Sequence, residues 1–195
     1  MKITKISPAV KTAGRYNVFV DDEYSFSLDE LQLVNLGLKL GQEIDEEKLA
    51  RLKSESDFGK NYIRAVDLIS RRIRSEKEIL DYAWRKKWAK ENINRVIERL
   101  YKYGYLDDEK FARAFVASRS NRDFSIKKMK VELMKKGIRS DLIEKMLANN
   151  TEFDEIKSLK KLIDKKRGFY DDDRKFVAYL ASKGFKYDDI KDQLS

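Results

Sequence analysis

The sequence predicts a mainly α fold: tandem three-helix, helix-turn-helix-like repeats behind a small N-terminal β-hairpin extension. Three observations carry that expectation. One apolar spacing occurs three times, counted from Ser75, Ser125 and Asp172. The first 28 residues instead alternate apolar and polar side chains. The single proline, Pro8, lies outside every stretch that reads as helix.

The N-terminal segment comes first. Arg15-Tyr16-Asn17-Val18-Phe19-Val20 and Tyr24-Ser25-Phe26-Ser27-Leu28 flank the polar run Asp21-Asp22-Glu23. Tyr16, Val18 and Val20 share one face, as do Tyr24, Phe26 and Leu28, so a hairpin is expected, joined by a strand around Ile3–Ile6. Leu28–Leu36 reads as a short helix closed by Gly37, and Leu38–Gln42 as a turn. Asp45 is placed to cap a helix through Lys48, Leu49 and Leu52.

From about Asp57 the pattern is helical to the end. A first helix over about Phe58–Arg72 puts Tyr62, Ala65, Val66 and Ile69 on one face. The threefold spacing follows. Four residues beyond each start stand Ile79, Met129 and Phe176; eight beyond stand Ala83, Leu133 and Leu180. Lys86-Lys87-Trp88, Lys136-Gly137-Ile138 and Lys183-Gly184-Phe185 come next, as turns closed by an apolar plug. Eighteen beyond stand Ile93, Ile143 and Ile190; twenty-two beyond stand Ile97, Leu147 and Leu194. The starts are 50 and 47 residues apart. Ser75 with Glu78 fits a capping box, and Asp107 is expected to cap the helix carrying Phe111, Ala112, Phe115 and Val116. One helix-turn-helix pair cannot bury its own stripe, so a preceding helix must complete each repeat. The expected segments are residues 1–56, 57–100, 101–150 and 151–195, with residues 148–154 as the joint between the last two repeats.

Composition limits the chemistry. The 195 residues include no His and no Cys, and 39% are charged. That removes imidazole acid–base catalysis, Ser–His triads, thiolate metal sites and disulfides. No phosphate-binding glycine loop is present. Asp21-Asp22-Glu23, Asp107-Asp108-Glu109 and Asp171-Asp172-Asp173 fall at expected turns or caps, roles that explain them better than metal binding. Neither a membrane-length apolar run nor a signal-peptide core is visible, so a cytoplasmic monomer without cofactor or metal is expected. Trp84, Trp88, Tyr103, Tyr105, Phe111 and Phe115 sit at helical or junction spacing and read mostly as core.

The net charge of +9 is uneven. Residues 1–60 hold 9 basic and 11 acidic side chains, residues 61–150 hold 23 and 13, and residues 151–195 hold 11 and 10. The excess belongs to the first two repeats. Arg71, Arg72 and Arg74 precede the second helix of repeat one, and Arg85, Lys86 and Lys87 stand at its turn. Arg119, Arg122, Lys127, Lys128 and Lys130 occupy the matching part of repeat two, with Lys135, Lys136 and Arg139 at its turn. These fourteen form a candidate stripe for a polyanion or an acidic filament surface, and Arg71, Arg72, Arg74, Lys127, Lys128 and Lys130 are expected to be exposed. The competing reading is a solvated face with cations near helix C-termini.

Several blocks resemble the RecX family of recombinase regulators. They are Arg72-x-x-Ser75-x-x-Glu78-Ile79, Tyr103-Gly104-Tyr105-Leu106-Asp107-Asp108 running into Phe111-Ala112, Glu132-Leu133-x-x-Lys136-Gly137-Ile138 with Ile143, and Leu180-x-x-Lys183-Gly184-Phe185 with Ile190. Leu38-x-x-Gly41-Gln42 and the upstream hairpin resemble the N-terminal extension of some members. The resemblance implies tandem three-helix units, binding to the RecA recombinase filament, and non-catalytic inhibition of strand exchange. One departure stands at Lys86-Lys87-Trp88, where the family pattern has glycine before the apolar residue. The alternative is a stand-alone nucleic-acid-binding repeat protein, contacting single- or double-stranded DNA without a recombinase.

Overall fold

Arg15–Val20 (β2) is the central strand of a three-stranded antiparallel sheet, paired with Ile3–Pro8 (β1) on one side and Glu23–Asp29 (β3) on the other. The computed structural model describes residues 1–10, 12–119, 123–148 and 153–195. They fall into two compact units, Met1–Arg72 with Leu80–Tyr105, and Ile73–Ile79 with Leu106–Ser195.

In the first unit the hairpin turn is Asp21-Asp22, both left-handed at φ 48° and 68°. Short polar side chains tolerate that region and match the strand twist. A register shift between Val18 and Phe19 skips Ser25. It separates Tyr24 from the expected face: Phe26 and Leu28 are buried, whereas Tyr24 is exposed and meets Phe19 edge-on at 6.0 Å. A bulge of this kind reverses the alternation, which simple period-two reading misses. Ile3, Val18, Val20, Phe26 and Leu28 form the sheet core with Ile44 and Leu52.

Helix α1 (Glu30–Asn35) starts with a complete capping box between Asp29 and Gln32, and Gly37 follows at φ 59°. Helix α2 runs unbroken from Glu46 to Arg71, capped by Asp45. The two helices expected on either side of residue 57 are therefore one. Ser56 Oγ donates to the Ser27 carbonyl at 2.6 Å, and Gln32 Nε2 donates to the Glu55 carbonyl at 2.6 Å. Gly59 stands where a Cβ would lie 2.5 Å from Gln32 Oε1, so a mid-helix glycine makes room for α1. Helix α4 (Lys90–Lys102) packs on α2, where Arg95 Nη2 holds both Glu55 oxygens at 2.7 and 2.9 Å.

Helix α3 (Glu76–Arg85) is shared: Glu76–Ile79 belongs to the second unit and the remainder to the first. The second unit continues with α5 (Asp108–Ala117), α6 (Ile126–Lys135), α7 (Ser140–Ala148), α8 (Glu155–Lys166), α9 (Asp173–Ser182) and α10 (Tyr187–Leu194). Asp107, Ser125, Asp154 and Asp172 cap the starts of α5, α6, α8 and α9. Two cores result, Phe111, Phe115, Met129, Leu133 and Ile143 in one, and Leu159, Phe176, Leu180, Phe185 and Ile190 in the other.

The threefold spacing holds at its inner positions. Ile79, Met129, Phe176, Ala83, Leu133, Leu180, Trp88, Ile138, Phe185, Ile93, Ile143 and Ile190 are all buried. The last position is weaker, since Ile97, Leu147 and Leu194 are only half-buried. Each turn ends in a left-handed residue, Lys87 at φ 55°, Gly137 at 84° and Gly184 at 94°. The plugs Trp88 and Ile138 donate their N–H to the Ala83 and Leu133 carbonyls at 3.1 Å, closing the helix ends as Schellman turns.

Candidate polyanion-binding surface

Two joints between repeats lie inside the second unit. At the first, the N–H of Glu76 donates to Asp108 Oδ1 at 3.0 Å, and Lys136 Nζ donates to Glu78 Oε1 at 2.7 Å. At the second, the N–H of Ile126 donates to Glu155 Oε1 at 2.7 Å, and Ser125 Oγ donates to the Lys183 carbonyl at 2.7 Å. The same places in successive repeats are used: one residue past the cap on one side, the first residue of the next repeat's helix on the other. The turn glycines are pressed against the preceding repeat in the same way. A Cβ on Gly137 would lie 2.5 Å from Lys77 Cβ, and one on Gly184 would lie 2.6 Å from Ser125 Oγ and 3.1 Å from Lys127 Cβ. Burial pushes the Asp108 carboxyl above its ordinary value, against the bond from the Glu76 N–H.

The fourteen sequence-predicted cations divide by environment. Arg71, Arg72, Arg85, Lys86, Lys87, Lys127, Lys135 and Arg139 are exposed. Arg71 pairs with Asp67, Lys135 with Glu132 and Arg139 with Asp141, at 2.9, 3.1 and 3.2 Å. Exposed pairs of this kind contribute under about 1 kcal/mol and exchange readily for another anion. Arg74, Lys128 and Lys130, expected to be exposed, are half-buried. Lys128 lies over the Phe124 ring at 4.2 Å, covering apolar surface with its stem. Arg119 is also half-buried and stacks on Phe115 at 3.6 Å. Lys136 is held by Glu78 in the first joint, so Glu78 serves that joint as well as following a capping Ser75, whose Oγ accepts from the Glu78 N–H at 3.3 Å. Arg122 and the middle of the expected joint at 148–154 lie outside the described residues.

The first turn of α6 holds Lys127 and Lys128 and no acid, the reverse of what a helix N-terminus favours. Glu155 supplies the missing carboxylate from the next repeat through its bond to the Ile126 N–H. The third repeat also contributes cations that the charge count passed over: Lys165, Lys166 and Lys183 line one groove with Lys128. Comparing the same offset in successive repeats, Lys136 with Lys183 and Glu78 with Lys128, is the sequence signal that finds Lys183; no such signal marks Lys165 or Lys166.

Aromatic placement departs from expectation. Phe111, Phe115 and Trp88 are buried, but Trp84, Tyr103 and Tyr105 are 54%, 55% and 47% exposed. In the first unit Arg99 stacks against Tyr62 at 4.8 Å and Tyr103 at 5.7 Å, so a long cation supports rings that helical spacing alone assigned to the core. The carboxylate runs do have turn and cap roles, Asp21-Asp22 in the hairpin, Asp107 and Asp172 as N-caps. Among the described residues no helix is long and apolar enough to cross a membrane.

The fold defines a tandem three-helix repeat protein with an N-terminal sheet. Known proteins with that organisation match the chain throughout. Residues 1–45 match the Regulatory protein RecX N-terminal domain, residues 62–100 the first RecX three-helix domain and residues 107–147 the second. Regulatory protein RecX of Bacillus velezensis is 36% identical over 96% of this chain and 74% of its own length. That of Caldanaerobacter subterraneus subsp. tengcongensis is 29% identical over 100% and 99%. A crystal structure of regulatory protein RecX aligns over 98% of both chains with a TM-score of 0.79 at 27% identity. RecX from Lactobacillus salivarius aligns over 71% of this chain and 94% of its own, with a TM-score of 0.60 at 26% identity. The chain belongs to the RecX family of regulatory proteins.

Proposed function

We propose that this chain is a non-catalytic regulator that binds the RecA recombinase filament and inhibits the strand exchange of recombination and DNA repair. Family membership supports the target. The observation that carries the binding mode is the spacing of exposed cations, Arg71 and Arg72 before α3, Arg85 to Lys87 after it, then Lys127, Lys135 and Arg139 around α6. Weak contacts repeated along successive repeats suit a polymeric partner, because linked sites gain affinity through effective concentration. The regulator acts in the cytoplasm as a monomer and uses no cofactor. Co-sedimentation with recombinase–single-strand filaments tests this: the chain pellets with filament and remains in solution with recombinase alone lacking DNA. Pelleting with bare DNA to the same extent supports the second reading, a stand-alone nucleic-acid binder, which the charge excess of residues 61–150 favours.

A further inference from the structure

The two joints of the second unit are built alike and differ in charge. Helix-start N–H groups meet the first residue of the following repeat's helix in both, and the turn glycine presses on the preceding repeat in both. The position of Glu78, three residues past the cap, is occupied in the next repeat by Lys128. The position of Lys136 is occupied by Lys183. The first joint therefore closes with a 2.7 Å ion pair, while the second sets two cations at the equivalent places. They line a groove of about 430 Å³ with Lys165 and Lys166. Asp123 faces the same groove and is engaged by Lys165 at 3.1 Å. Lys128, Lys166 and Lys183 instead rest against ring faces, Phe124 at 4.2 Å, Phe169 at 5.1 Å and Tyr179 at 5.0 Å. Four ammonium groups thus gather around one carboxylate, Lys128 and Lys166 half-buried and Lys165 and Lys183 exposed, an arrangement that attracts an anion.

We infer that this groove between the second and third repeats is a binding site for a backbone phosphate of single-stranded nucleic acid, with Lys128, Lys166 and Lys183 as its ligands. Phosphate supplies what Glu78 supplies at the first joint, a compact acceptor between two lysines. As Lys128 and Lys183 turn to the phosphate they uncover the Phe124 and Tyr179 rings, which give adjacent nucleotides apolar surface that an acidic peptide would not use. Three of the eleven basic residues of the third repeat, Lys165, Lys166 and Lys183, line this groove.

Lys128→Glu is the discriminating variant, because it copies the first joint. It is expected to leave the fold at least as stable as the parent, with an unchanged or higher unfolding temperature. It is also expected to weaken binding of an oligothymidylate several-fold, measured by fluorescence anisotropy on the whole chain without recombinase. The salt slope should fall by about 0.7 for each phosphate that is no longer neutralised. Lys166→Gln with Lys183→Gln, which makes no new ion pair, should weaken binding and flatten the slope similarly. Unchanged affinity and slope in both variants overturns the site. A polyglutamate peptide that binds the parent as tightly as oligothymidylate, and is weakened equally by both variants, overturns the assignment to phosphate. Because recombinase is absent, failure of the filament reading leaves this result readable.

Discussion

A Cβ built on Gly137 would stand 2.5 Å from the Cβ of Lys77, closer than two such carbons approach. Two constraints therefore coincide at this turn: a left-handed φ of 84° and the adjacent first turn of α3. The same pair of constraints acts on Gly184 against Ser125 and Lys127. Lys87 holds the equivalent place in the first repeat with φ 55°, its side chain exposed. Glycine is required where an earlier repeat packs on the turn, and a lysine is tolerated where the series begins.

Gly137→Ala is expected to lower stability by more than the roughly 1 kcal/mol that a left-handed residue alone costs, because the α3 turn must shift as well. Lys87→Gly is expected to raise it by about 0.5–1 kcal/mol, the relief of left-handed strain less the added freedom of the unfolded chain. Urea unfolding of both variants checks the contrast; equal effects of the same sign would contradict it.

Leu133→Ala should cost about 2–5 kcal/mol, since Leu133 is wholly buried between Met129, Ile138 and Ile143 in the core of the second repeat. Ile97→Ala should cost less than Leu133→Ala, because Ile97 is half-buried and its site can refill with water. Thermal unfolding orders the two.

Asp108 gives a pH signature. Burial holds its proton more tightly in the folded chain than the ordinary 3.8, so its contribution is fully present below that value and is lost as pH rises through the folded pKa. Asp108→Asn keeps an oxygen for the Glu76 N–H and removes the charge. The variant should lose this fall in stability above about pH 4 and be no less stable than the parent at neutral pH. Denaturant titrations from acid to neutral pH measure it; a parallel pH curve would show that Asp108 does not titrate differently on folding.

The buried skeleton of the repeats was legible because helix packing needs apolar residues at fixed spacing, and Ile79, Met129, Phe176 and their partners have no other means of being placed. The N-terminal strands were legible for the same reason until the bulge at Val18/Phe19, whose extra residue leaves no mark in residue types. The continuity of α2 was not legible because Ser56 and Gly59 owe their places to Ser27 and Gln32, far away in sequence. The candidate surface was legible only as a charge excess. Which lysines are half-buried on rings, as Lys128 is on Phe124, or locked in a joint, as Lys136 is on Glu78, depends on neighbours that spacing does not name.

Charge reversal tests the surface as a whole. Replacing Arg72, Arg85 and Lys127 by Glu, all exposed positions, should leave helicity and unfolding intact while weakening filament binding and its salt dependence. Unchanged co-sedimentation would return these residues to an ordinary solvated face.

The most direct test is strand exchange by a cognate RecA recombinase, followed with its ATPase while this chain is titrated in. Suppression of both, with no turnover of substrate by the chain itself, is the predicted result; full inhibition at substoichiometric amounts indicates capping of filament ends, and inhibition only near saturation indicates occupancy along the filament. Strand exchange and ATPase that proceed unchanged at every ratio would contradict the account.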